Sequence, residues 1–178
     1  MTEAFVRKLA LVALLVASAA GVFAFTVSVS PSEGVTYVPP PDGTGSPLDF
    51  FVSGCMDALF ESGCVVTDSA PERLSRSSWE SKVPSLAEAK EGLVDYVICL
   101  YVEWNASTYH KDVLLPASIA YRILRVSDGA VLANGELEGI PDSEEASQNF
   151  EKSASRAGRA AVAPFISMLS TQVMGGKR

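Results

Sequence analysis

The sequence has a single histidine, His110, so no metal site built on two histidines is available to it. Its three cysteines, Cys55, Cys64 and Cys99, form no C-x-x-C pair, which removes thioredoxin-type and zinc-binding readings. Ser75, Ser77 and Ser78 lack the G-x-S-x-G elbow that exposes a nucleophile. There is no Walker or dinucleotide-binding glycine pattern, since Gly175-Gly176 follows no strand. Basic residues are also scarce: 14 Lys and Arg stand against 21 Asp and Glu, for a net charge of −7. An acidic chain with no clustered cations repels phosphate backbones, so nucleic acid is not an expected partner. No cofactor and no metal are expected.

The N-terminus is more informative. Arg7 and Lys8 form a basic start, residues 9–17 are all apolar, and Ala17, Ser18, Ala19, Ala20 and Gly21 supply small side chains. That order is an export signal, with cleavage expected near Ala20 or Ala24 and residues 1–24 as signal peptide. The alternative is an uncleaved anchor, because residues 9–29 are long enough to span a bilayer. Either way the chain is expected in the periplasm or outside the cell. The first cysteine is Cys55, so no lipidation box follows the apolar run. With an odd cysteine count, three buried thiols are the main expectation and a Cys64–Cys99 bridge the alternative.

Residues 25–30 alternate apolar and polar, as a half-buried strand does. Residues 31–46 then carry Pro31, Gly34, Pro39, Pro40, Pro41, Gly43 and Gly45 and read as a loop excluded from any sheet interior. Ser46 and Pro47 open a helix whose stripe is Leu48, Phe51, Val52, Cys55, Met56, Leu59 and Phe60, closed by Gly63. A short strand, 64–68, follows directly. Residues 69–84 are polar and serine-rich, with Arg73, Arg76 and an isolated Trp79. Ser85 and Glu88 suggest a capping box for a short second helix that ends at Gly92.

Residues 93–104 are apolar on both faces and predict a central strand. Residues 113–126 and 130–138 predict a hairpin about Asp128-Gly129, with Pro116 confined to an edge or bulge. Asp142 and Glu145 suggest a cap for a long alanine-rich helix through Ala154, Ala157, Ala161, Phe165 and Leu169, kinked or split at Pro164. The fold class is α+β, a two-layer sandwich of helices on a mixed sheet, in the order β-α-β-α-β-β-β-α. One domain covers 25–170, and 171–178 is a tail.

Three pieces carry a family resemblance: Leu59-Phe60-Glu61-Ser62-Gly63 running into Cys64-Val65-Val66-Thr67-Asp68; Val94-Asp95-Tyr96-Val97-Ile98; and the hairpin around Ser127-Asp128-Gly129 followed by an alanine-rich helix. Over residues 25–169 the chain resembles the fold of curli-secretion lipoproteins, lipoprotein activators of penicillin-binding proteins and the N-terminal domain of the Tol translocation protein. The resemblance implies a scaffold, pore subunit or enzyme regulator at the bacterial envelope. The chain departs from it in lacking the lipidated cysteine.

The function expected is that of a non-enzymatic envelope protein. It binds a protein partner, another copy of itself included, or supports assembly of a complex. A periplasmic domain for a small ligand or cell-wall glycan is the alternative, with Trp79, Trp104 and Tyr109 as stacking surfaces. An enzyme would rest on His110 as general base. Expected partner contacts are Tyr37, Pro39, Pro40 and Pro41, on a preformed polyproline segment, and Arg73, Arg76 and Trp79, residue types common at interface anchors.

Overall fold

In the computed structural model, residues 24–34, 46–104, 116–138 and 150–175 are described. The expected signal segment, His110 and the Asp142–Glu145 cap lie outside them. Six strands, β1 (Thr26–Gly34), β2 (Val65–Asp68), β3 (Glu72–Leu74), β4 (Tyr96–Trp104), β5 (Pro116–Arg125) and β6 (Val131–Glu138), form one mixed sheet. Its order is β2-β1-β4-β5-β6, with β3 pairing β1 beyond the end of β2. β1 is parallel to β2, β3 and β4, whereas β5 and β6 return antiparallel. Helices α1 (Pro47–Glu61) and α4 (Phe150–Gly175) cover one face; the short helices α2 (Arg76–Ser81) and α3 (Ala87–Glu91) belong to the other.

The end signals of α1 act as the sequence implies. Ser46 Oγ accepts from Leu48 N at 3.2 Å and Pro47 takes the first turn. Gly63 at φ +84° lets Cys64 N reach back to Leu59 O at 3.1 Å, so the helix turns directly into β2. Leu48, Phe51, Cys55 and Leu59 are buried against Val27, Val29, Ile98 and Leu100. Phe60 is a correction: it is 75% exposed. Nine residues after Phe51, it lies about 180° around a helix of 3.6 residues per turn, away from the sheet.

β4 is the central strand, with neighbours on both sides and both faces covered. Tyr96, Ile98, Leu100, Val102 and Trp104 meet α1 and α4, while Val97, Cys99 and Tyr101 meet Trp79, Leu124 and Val126. The hairpin turns at Gly129, φ +74°, and Pro116 sits where the β4–β5 register shifts beside Trp104. All three cysteines are buried and free, without the Cys64–Cys99 bridge. α4 continues helical through Pro164 rather than splitting there.

Two further corrections concern local signals. β1 does not stop at Ser30; it runs through Pro31 to Gly34, inside the sheet. Val29 O accepts from Ser69 N, so the backbone of the odd-numbered residues faces β2 and β3. The missing donor of Pro31 therefore falls at the interruption between Asp68 and Glu72, where no ladder bond is needed. The Ser85–Glu88 box does not form. α3 is capped at Leu86 with no side-chain bond, because Leu86 packs into the second apolar cluster.

Candidate functional site

α1 and α4 seal one face of the sheet, but the short helices leave the other half open. On that face β1 presents Ser28, Ser30 and Ser32, while its alternate residues Val27 and Val29 enter the core. The serines line a groove of about 590 Å³ with Thr67 and Asp68 of β2, Glu72 of β3, Val97 and Cys99 of β4, and Arg122 of β5. Trp79 and Lys82 close one wall; Ser85, Glu88 and Ala89 form another. Ser32 is only 4% exposed, and none of the three serine hydroxyls has a hydrogen-bond partner among the described residues. Hydroxyls both donate and accept, so the floor offers neutral hydrogen bonding beside apolar Val97 and Cys99.

The charges around it are largely matched within the chain. Lys82 Nζ pairs with Glu72 Oε2. Arg122 donates from Nη1 to Lys82 O at 3.0 Å and from Nη2 to Glu80 O at 3.2 Å, satisfying carbonyls at the end of α2. Its guanidinium carbon lies 5.1 Å from the Trp79 ring centre, within cation–π range. Burial pushes the Cys99 thiol up to about 11, with Arg122 and Lys82 pulling the other way, which leaves it protonated and inert at neutral pH.

The expected interface residues fare differently. Tyr37, Pro39, Pro40 and Pro41 lie outside the described residues, as does Tyr109. Arg73, on β3, donates from Nε to Oε1 of the buried Glu33 at 2.8 Å; the other Glu33 oxygen has no hydrogen-bond partner among the described residues. Arg76 forks onto Glu136 of β6, with Nη2 to Oε2 at 2.9 Å, and its Nε meets Glu80 at 2.7 Å. Although partial desolvation pulls its pKa down, bonds from Glu80 and Glu136 raise it; the same Arg76 bond lowers that of Glu136.

Trp79 is 8% exposed, its ring centre 5.8 Å from that of Tyr101. Arg76 and Trp79 therefore come together, as a clasp that holds α2 on the sheet, whereas Arg73 pairs off with Glu33. Trp104 is on the opposite face against Phe51, at 6.3 Å, so the two tryptophans share no pocket. Ser75, the N-cap of α2, accepts from Ser78 N and lies 2.7 Å from Ser78 Oγ, a structural use of the serine cluster.

Sequence reasoning missed the groove itself. The signal was present in the alternation Ser28, Ser30, Ser32, which reads as a solvent face until Val97 and Cys99 are placed beside it. Beyond Trp79 and Arg122, a second hollow of about 310 Å³ reaches Asn134, Gly135 and Glu136 on β6. Among the described residues no group of three His, Cys, Asp or Glu side chains could hold a metal ion.

No protein-family model matches the chain, and no curated protein matches it. Solved structures do. A hypothetical protein, CT253 from Chlamydia trachomatis, is similar at 16% identity, over 81% of this chain and 96% of that one, with a TM-score of 0.52. A PelC dodecamer from Paraburkholderia phytofirmans matches at 18% identity over 79% and 88%, TM-score 0.48. Lipoprotein GNA1162 from Neisseria meningitidis matches at 16% over 85% and 96%, TM-score 0.41. At 16% identity and a TM-score of 0.52, the likeness to the Chlamydia trachomatis protein is one of fold alone, an α+β arrangement of helices on a mixed sheet.

Proposed function

We propose that this is an exported, non-enzymatic envelope protein that binds a protein partner through the half-covered face of its sheet, in support of an envelope complex. The observation that carries this reading is the serine-floored groove, held open by the Arg76–Trp79–Arg122 clasp. A sheet face in the middle of a domain is ordinarily apolar and covered. Here β1 keeps hydroxyls on that face and gives up the burial that valines would supply. No nucleophile–base pair is placed among the groove residues named above, which favours binding over catalysis.

A second reading, a small ligand or cell-wall glycan, is favoured by the unpartnered hydroxyls of Ser28, Ser30 and Ser32, since such groups suit a neutral polyhydroxylated molecule. One experiment separates the two. A photo-crosslinking residue replacing Ser30 should trap a discrete protein band in intact cells, while the same residue at the exposed Asp57 of α1 should not. A band at twice the chain mass identifies a second copy as the partner. No protein trapped from position 30, together with glycan-fragment binding that Ser30→Val abolishes, would replace the first reading with the second.

A further inference from the structure

Exposed apolar side chains are concentrated at one end of the sheet. The large exposed hydrophobics among the described residues are Phe60, Val65, Val83, Leu93 and Val131. Val65 pairs with Thr26, the first residue of β1. Asp95, two residues after Leu93, donates its N–H to Thr26 O. Val131 opens β6 opposite Leu124, next to the Arg125 that pairs with Tyr96, and Tyr96 in turn pairs with Val27. Phe60 lies in the last turn of α1, just before the chain re-enters the sheet at Val65. Only Val83 lies elsewhere, beside Lys82, whose carbonyl binds Arg122 opposite Cys99 at mid-sheet.

Leu93 is unusual in a second way. It has φ +54°, a conformation leucine rarely adopts, and holds its side chain 82% exposed. The positive φ closes α3, with Leu93 N–H donating to Lys90 O at 3.2 Å and Val94 N–H to Ala89 O at 2.9 Å, and it leaves the leucine side chain in solvent. Two cations at this end are already neutralised within the chain: Arg159 by Glu61 at 2.6 Å and Arg125 by Asp128 at 2.7 Å. The exposed Asp95 also lies at this end, its Oδ2 accepting from Thr26 N at 2.9 Å, so the apolar side chains stand beside one carboxylate that caps the start of β1.

The same end receives the chain from its apolar N-terminal run. Residues 9–25 are apolar or small throughout except for Ser18, and Arg7 and Lys8 precede them. That reaches the lower end of the roughly 17–25 residues that span a bilayer, with cations on the flank where headgroups lie. No spacer separates the run from β1, which starts at Thr26. Wherever residues 9–25 reside, this end of the sheet is within a residue or two of them, at about 3.5 Å per residue. Among the described residues no helix is long and apolar enough to cross a membrane.

We propose that this end is a membrane-contact surface: residues 9–25 are retained in a lipid bilayer, and Phe60, Val65 and Leu93 rest in its interface. This takes the anchored alternative for the N-terminus. It shares only export with the proposed function, and it leaves the groove on the sheet face open to a partner beside the membrane. A binding surface for a second copy would also hide apolar residues, but it would not explain why they ring the point where the apolar run joins the sheet.

The test uses the full chain in phosphatidylcholine vesicles that carry nitroxide-labelled lipid. An environment-sensitive fluorophore is attached to Phe60→Cys, Leu93→Cys or, as control, Val83→Cys, with a thermal melt confirming that each folds and Val65→Cys replacing any that does not. Labels at 60 and 93 should be quenched by the lipid nitroxide and the label at 83 should not. Absence of quenching at 60 and 93, or equal quenching at all three, would overturn the proposal. So would full-length protein from intact membranes whose N-terminus begins near Ala24, or labels at 60 and 93 that become shielded with rising protein concentration in lipid-free solution. Crosslinking from Ser30 is read separately, so either result can fail without the other.

Discussion

The Cys55 thiol donates a hydrogen bond to the Gly158 carbonyl oxygen at 3.2 Å, across the crossing of α1 and α4. The two backbones approach so closely there that side chains have no room. A Cβ on Gly158 would stand 1.9 Å from Phe51 O, and one on Gly54 would stand 2.0 Å from Ser155 O. Ala154, Ala157 and Ala161 continue the contact without side-chain bulk. The alanine-rich signal therefore codes for a helix–helix approach as well as for packing on the sheet.

Gly158→Ala should lower stability by about 1–3 kcal/mol, the usual cost of overpacking, although alanine is the better helix former. Chemical denaturation measures it. An unchanged or raised midpoint would mean that the helices part easily.

Leu59→Ala should cost about 2–5 kcal/mol and its neighbour Phe60→Ala no more than about 0.5 kcal/mol. Denaturant melts of the pair test the orientation of α1. Equal losses would place Phe60 in the core and remove it from the membrane-contact end.

Trp79→Ala should cost about 3 kcal/mol, because the ring fills the small cluster with Tyr101 and Leu124. Crosslinking from Ser30 should weaken in the same variant, since α2 forms the groove wall. Retained crosslinking in a destabilised protein would detach the groove from the clasp.

Thiol burial makes stability depend on alkaline pH. Folding raises the Cys99 pKa from 9.0 to about 11, and raises those of Cys55 and Cys64 as well, in each case through desolvation of the thiolate. The unfolded chain loses these protons first, so the contribution is complete below the unfolded thiol pKa and is lost as pH rises, for Cys99 between about 9 and 11. Melting temperature should fall over that window, and less so in Cys99→Ala. Alkylation at pH 8 should be slow before unfolding and fast after it; rapid native labelling of Cys55 or Cys99 would contradict burial.

What could be read from the sequence alone is what neighbouring residues decide among themselves. Ser46-Pro47 and Gly63 bound α1, and Asp128-Gly129 turns the hairpin, because capping and positive φ involve atoms only a few residues apart. The apolar run of β4 likewise announces a strand covered twice. The remaining features depend on partners distant in sequence. Pro31 is admitted to the sheet interior because β2 ends at Asp68, opposite Val29, and β3 starts at Glu72, opposite Ser32, which leaves a gap beside Pro31 some 40 positions later in the sequence. The ion pair of Arg73 with Glu33 and the ring contact of Trp79 with Tyr101 were not legible either, because each partner lies more than 20 positions away in the sequence. The three serines of β1 become a groove only when β4 lies alongside and α2 stops short of covering them. Periodicity states which residues share a face; which faces are left uncovered is settled by the lengths of helices packed from elsewhere in the chain.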